Sequence, residues 1–119
     1  MNEHAAEFPH EFIIECLALI AQHVPGETTL NQLRILHYID MRTAQPKGHT
    51  SHTEICTTLD MPAATVTRAV ASFIEAGIVT EREDEWDARR RLVMVSEHWA
   101  QGNTLDQTII ELARRYFRK

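Results

Sequence analysis

Residues 51–77, SHTEICTTLDMPAATVTRAVASFIEAG, read as two short helices with a tight break between them. Ser51 stands three residues before Glu54, the spacing of a capping box. In that box the serine hydroxyl takes the amide of residue 54 and the glutamate returns to the amide of residue 51. A helix therefore starts at Ser51 and ends near Leu59. Asp60-Met61 breaks it, and Pro62, with its fixed φ, suits the first turn of the next helix. Val66, Val70, Phe73 and Ile74 give that second helix an apolar face, and Gly77 stops it. Two helices joined this closely can brace a DNA backbone with the first and enter the major groove with the second.

Beyond Gly77 the apolar period changes from that of a helix to that of a strand. Ile78-Val79-Thr80 leads out and Leu92-Val93-Met94-Val95 returns around a polar turn, Asp84 to Ala88, which predicts a β-hairpin. After Gly102 a last helix, capped by Asn103 or Thr104, carries Leu105, Ile109, Leu112 and Tyr116 at spacings of 4, 3 and 4. Trp99 is expected in the core at the start of that segment. Upstream of Ser51, Ala44 to Thr50 reads as a loop containing Pro46 and Gly48. A helix runs before it from a Thr28 or Thr29 cap through Leu30, Leu33, Leu36 and Ile39 to about Arg42. The first helix spans about Pro9 to Val24, with Ile13, Leu17, Ile20 and Val24 on one face widened by Phe12, Ile14 and Leu19, and Pro25-Gly26 ends it. The expected fold is mainly α with a small β-hairpin, a winged helix-turn-helix in a single domain over residues 1–119. Its core spans 28–98, with the wing at about 78–95.

A chain of 119 residues is long enough for one core and too short for two domains. Taken as a whole, its net charge of −5 is unsuited to a polyanionic partner. The excess is local, however: Glu3, Glu7, Glu11, Glu15 and Glu27 precede the first lysine or arginine, and the remainder holds 12 basic and 12 acidic residues. Cys16 and Cys56 lie in apolar-periodic segments with nothing basic flanking either, so they read as buried, reduced thiols. No run approaches the roughly 18 apolar residues of a membrane span, and Met1 to His10 lacks the pattern of a signal peptide, so a cytoplasmic protein with no membrane association is expected. No nucleophile, base and orienting group recur together, and there is no glycine-rich phosphate loop, so an enzyme is not expected. His49 and His52 are spaced as a ligand pair but bridge a loop and a helix start with no third ligand, so neither a metal nor another cofactor is expected.

The outward positions of the second helix, Pro62, Ala63, Ala64, Thr65, Thr67 and Arg68, are candidate contacts to duplex DNA. Small residues permit close approach, threonine hydroxyls reach bases or phosphates, and arginine pairs with a guanine edge or a phosphate. Ser51, at the start of the preceding helix, joins them. The bland alternative is an amphipathic helix with a solvated outer face. Arg89, Arg90 and Arg91 stand where a wing needs positive charge to track a groove, and they can equally pair with Glu83, Asp84, Glu85 and Asp87. Trp86 at the wing tip either stacks on sugar or packs against the hairpin.

The segments Leu59 to Arg68, Phe73 to Arg82, and Asp87 to Arg91 followed by Val93-Met94-Val95-Ser96-Glu97 resemble the MarR family of winged-helix transcriptional regulators. They are similar to that family's recognition helix, its exit into the wing and its aspartate- and arginine-containing wing. The resemblance implies a homodimer built from the terminal helices, residues 1–27 and 103–119, which makes Ile13, Leu17, Ile20, Leu105, Ile109, Leu112 and Tyr116 the candidate dimerisation residues. It also implies two recognition helices spaced for a palindromic site, and repression of nearby genes. The sequence departs from the pattern in having one predicted helix after the wing, in Phe73 for a common leucine and in Asp60 where the turn often has glycine. Its acidic first helix also lacks any lysine or arginine. A rival reading makes the chain a protein-interaction module that grips another protein through this acidic helix. A small-molecule effector is neither indicated nor excluded by these residues.

Overall fold

The computed structural model describes residues 8–102 and 105–118. The helices are α1 (His10–Ala21), α2 (Leu30–Ala44), α3 (His52–Leu59), α4 (Ala63–Glu75), α5 (Glu97–Gly102) and α6 (Leu105–Phe117). The strands are β1 (Thr50–Ser51), β2 (Val79–Glu83) and β3 (Arg91–Val95). The chain divides into two compact units, Glu27–Gly102 and a second formed from the two chain ends, which contains α1 and α6.

In the first unit, Ile35, Leu36 and Ile39 of α2 meet Ile55 of α3, Val66, Val70 and Phe73 of α4, and Val79, Leu92, Val93 and Val95 of the sheet, all buried. The helix starts follow local chemistry. Thr29 and Gln32 form a complete capping box on α2, with Thr29 Oγ1 taking the Gln32 amide at 3.1 Å and Gln32 Oε1 taking the Thr29 amide at 2.8 Å. Ser51 Oγ takes the Glu54 amide at 3.2 Å and starts α3. The return arm of that predicted box is not made. Glu54 Oε2 instead accepts from Tyr38 Oη at 2.7 Å, Arg42 Nε at 2.8 Å and Thr50 Oγ1 at 2.8 Å. Three donors from α2 and β1 outcompete one amide, and the carboxylate ties α3 to α2 rather than closing its own helix.

The break between α3 and α4 turns on Asp60, the one described non-glycine residue with positive φ, at φ 53° and ψ 58°. This left-handed cap ends α3, and Pro62, extended at ψ 147°, is the cap of α4 rather than its first residue. Gly77, at φ 78°, ends α4 and lets Ile78 N–H reach Phe73 O at 2.9 Å.

The sheet is antiparallel in the order β1-β3-β2, with Thr50 opposite Val93 and Val79 opposite Val95. The expected hairpin is thus present and gains a third strand from Thr50–Ser51, where the sequence reading has the end of a loop and a helix cap. Thr43 Oγ1 accepts from Val95 N–H at 3.1 Å, fastening β3 to the end of α2. A second correction follows the wing, where two helices stand instead of one. Ser96 Oγ donates to Gly77 O at 2.8 Å and accepts the Trp99 amide at 3.1 Å, so one hydroxyl pins the strand exit and caps α5. Trp99 is half-buried, with its indole N–H enclosed and without a partner among the described residues.

In the second unit α1 packs on α6. Phe12 stands edge-on to Tyr116 at 5.8 Å and to Phe117 at 5.0 Å between ring centroids. Glu15 accepts from Tyr116 Oη and lies 3.8 Å from Arg115. The predicted caps of α6, Asn103 and Thr104, lie outside the described residues. Among the described residues no helix is long and apolar enough to cross a membrane.

Candidate nucleic-acid interface

The candidate interface is built on α4. Val66, Ala69, Val70 and Phe73 are buried, and this fixes the rotation of the helix. The same rotation leaves Pro62, Ala63, Ala64, Thr67 and Arg68 exposed, with Thr65 half-buried. Among the described residues Arg68 has no hydrogen bond or ion-pair partner, and its guanidinium stands free on the outer face. α2 and α3 have side-chain caps, from Thr29 and Ser51, whereas no side chain caps α4. Thr65 N–H donates to Pro62 O at 3.1 Å, and the Ala63 and Ala64 amides, at the positive end of the helix dipole, are left to solvent or to a ligand oxygen.

Ser51 is placed differently. It is only 3 % exposed and its hydroxyl is committed to the α3 cap, so it positions α3 instead of facing outward.

The wing arginines are engaged by wing carboxylates. Arg89 Nε lies 3.3 Å from Asp87, Arg90 lies 3.9 Å from Asp84, and Arg91 lies 3.2 Å from Glu81 and 3.7 Å from Glu83. Glu81, half-buried, had not been picked out from sequence. Its other oxygen sits 2.8 Å from His52 Nε2, so it joins the start of α3 to both strands of the wing. Burial works to raise the Glu81 pKa, but hydrogen bonds from His52 and Arg91 and the charges behind them hold it below the ordinary glutamate value. A groove between α3 and the wing is lined by His52, Thr53, Thr57, Glu81, Arg89 and Arg91. Of the two spaced histidines, His52 is thus taken up by Glu81, while His49 Nδ1 is enclosed without a partner among the described residues. Burial first, then Lys47, Arg82 and Arg90, push the His49 pKa down, with Asp84 opposing.

The candidate dimerisation residues separate into two sets. Leu105 and Leu112 are buried within the chain itself. Ile13 and Leu17 are exposed, and Ile20, Ile109 and Tyr116 are half-buried. Ile14, Ile110 and Phe117, not in the predicted set, add to the exposed apolar surface of this unit.

Residues 28–90, more than half of the chain, match the sequence profile of the MarR family. The chain belongs to the MarR family of winged helix-turn-helix transcriptional regulators. Its fold is similar to that of MepR from Staphylococcus aureus in complex with DNA, at a TM-score of 0.69 and 16% identity over 92% of this chain and 81% of that one. It is similar as well to a probable transcriptional regulator from Pseudomonas aeruginosa, at a TM-score of 0.60 and 21% identity over 90% of this chain and 77% of that one. Another structure of MepR, described as a transcription regulator of the multidrug efflux pump MepA, aligns at a TM-score of 0.67 and 15% identity over 89% and 73% of the two chains. No curated protein matches by sequence.

Proposed function

We propose that the protein binds duplex DNA as a homodimer, reads its site with α4 in the major groove, grips the flanking backbone through the wing arginines and represses transcription. The observation that carries this reading is the outer face of α4: small side chains, an uncapped N-terminus and an unpaired Arg68 on a helix whose rotation is fixed by a buried face. Pro62, Ala63 and Ala64 allow the helix to sit deep, the Ala63 and Ala64 amides meet a phosphate, and Thr65, Thr67 and Arg68 face base edges. The likeness to MepR in its DNA complex supports the same placement.

The ion pairs of the wing are compatible with this role. A carboxylate that holds a guanidinium by one edge leaves its remaining N–H groups free to aim at a phosphate. Acidic character in α1 contributes little to a rival protein-binding role at Glu15, which α6 already engages through Tyr116 and Arg115.

Selection of duplexes from a randomised pool by the full-length protein, at several salt concentrations, tests the reading. The expected outcome is a two-fold symmetric motif bound with a steep salt dependence. Failure to retain any duplex at low salt overturns it.

A further inference from the structure

The groove between α3 and the wing is nearly balanced in charge, and one histidine decides the remainder. Around it Arg42 pairs with Glu54 at 2.8 Å, Arg89 with Asp87 at 3.3 Å, Arg90 with Asp84 at 3.9 Å and Arg91 with Glu81 at 3.2 Å. Each of these pairs cancels. Glu83 is left over, because its partner Arg91, at 3.7 Å, already serves Glu81. The other cationic group that reaches these carboxylates is His52, whose Nε2 stands 2.8 Å from Glu81 Oε2. With His52 neutral, the cluster of His52, Glu81, Glu83 and Arg91 carries one excess negative charge; with His52 charged it carries none. The groups that face the ring are thus Glu54 on α3 itself, Glu81 and Glu83 on β2, Arg91 on β3, and Asp87, Arg89 and Arg90 on the wing turn.

Both charge states of the ring keep the contact with Glu81. An ionised carboxylate only accepts, so Nε2 carries a hydrogen throughout, and the proton that comes and goes belongs to Nδ1. Nδ1 has no hydrogen-bond partner among the described residues and is not enclosed, so it exchanges a proton with solvent without any rearrangement of α3. Glu81 stays ionised meanwhile, since, against burial, the hydrogen bonds from His52 and Arg91 hold it below the ordinary glutamate value. Histidine is the side-chain type that changes charge between about pH 5 and 8, whereas the arginines and carboxylates around it keep theirs.

We propose that His52 makes duplex binding proton-linked: the complex holds the ring charged, and affinity falls as rising pH removes the Nδ1 proton. The proposal rests on the DNA-binding reading above and deepens it. In that reading α3 crosses the backbone and the wing runs beside it, so phosphates flank the cluster. Charges within about 8 Å, the Debye length at physiological salt, act on one another without contact. A neutral His52 leaves the excess negative charge facing phosphates, and a charged one removes that repulsion. The bound state therefore holds more protons than the free one, which makes binding strong below the range in which the ring titrates and weak above it.

The test measures the affinity of full-length protein for duplexes selected by the unaltered protein, across about pH 6 to 8 at constant ionic strength. The unaltered protein is expected to bind about fivefold more weakly at the upper end than at the lower. His52→Gln, neutral throughout, should hold the weak level at every pH, and His52→Arg, charged throughout, should hold the strong one. The ring resonances of His52 in the unaltered protein give a second measure that needs no variant: with duplex bound, the ring should stay charged to a higher pH than without it.

Affinity that is level across this range in the unaltered protein, or a pH dependence that His52→Gln retains in full, overturns the proposal and leaves the DNA-binding reading intact. A ring whose titration the duplex does not move does the same. Failure of the unaltered protein to bind any duplex at low salt removes both readings.

Discussion

His52 Nε2 lies 2.8 Å from Glu81 Oε2, across the seam between the first residue of α3 and the outgoing strand of the wing. An ionised carboxylate only accepts, so the ring nitrogen facing it carries the proton. Glu81 Oε1 meanwhile accepts from Arg91 Nε at 3.2 Å, and one side chain thereby registers the wing against the helix-turn-helix. A double-mutant cycle on His52→Ala and Glu81→Ala should return a coupling of about 0.5 kcal/mol in urea unfolding, since both groups are partly solvated. Additive effects would mean that the contact does not hold the two elements together.

Glu54 makes folding sensitive to acid. Burial acts to raise its pKa, but the hydrogen bonds from Tyr38 and Thr50 and the charge and hydrogen bond of Arg42 outweigh that, and the net shift is downward. A carboxylate depressed in the folded state contributes stability that is full above its unfolded value, near 4.3, and is lost as pH falls through the folded value. Glu54→Gln should cost about 1 kcal/mol at pH 7 and flatten the acid limb of stability below about pH 4.5. Chemical unfolding at pH 7 and across pH 3–6 reads both; a parallel offset at every pH would remove Glu54 from that limb.

Much of this architecture is local and therefore legible in the chain. The α4 face, the Gly77 exit and the outward and return strands each follow from a few neighbouring residues. What was missed depends on distant partners. β1 is two residues long and exists because Leu92 and Val93 lie alongside it. Glu54 leaves its expected bond because Tyr38 and Arg42 arrive from α2. α5 has six residues and no apolar repeat, and its one local signal was Ser96 followed by Glu97, a cap ahead of an acidic first turn. On the interface, the exposed face of α4 could be read directly, but the pairing of each wing arginine with a particular carboxylate required the register Glu83 to Arg91.

Arg68 and Arg91 should fail in different ways. In the proposed complex Arg68, without a partner among the described residues, faces bases, so Arg68→Ala should cost about 1–3 kcal/mol on the selected duplex and relax the motif at one position. Arg91, held by Glu81 and Glu83, meets backbone in the proposed complex, and Arg91→Ala should weaken selected and random duplexes alike while lowering the salt slope by about one. Affinity measured on both duplexes across a salt series separates them, and a uniform loss for Arg68→Ala would take α4 base reading away from that residue.

Asp60 occupies a backbone region that favours glycine, at φ 53°. Asp60→Gly removes the Cβ penalty at the α3 cap and should raise stability by about 0.5 kcal/mol, net of the extra freedom glycine brings to the unfolded chain. Asp60→Val, branched where the conformation is left-handed, should cost about 1 kcal/mol or more. Thermal melting gives the order Gly, Asp, Val; a Val form as stable as the parent would show that the turn relaxes to another conformation.

The proposed dimer makes its own demand on α1. Leu17 is 50 % exposed and Ile14 65 % exposed, on a helix with no fully buried residue. In a two-fold symmetric interface each substitution acts twice. Burial of one leucine contributes about 1.5 kcal/mol at the low end, so Leu17→Glu should raise the dimer dissociation constant at least about a hundredfold. Leu17 lies outside the Glu27–Gly102 unit, and the far-ultraviolet spectrum should hold. Sedimentation equilibrium of the two proteins over a concentration series gives the constants directly. A dimer equally strong in Leu17→Glu would place the interface away from this face of α1, while a parent protein that stays monomeric at the concentrations where it binds duplex would end the homodimer reading.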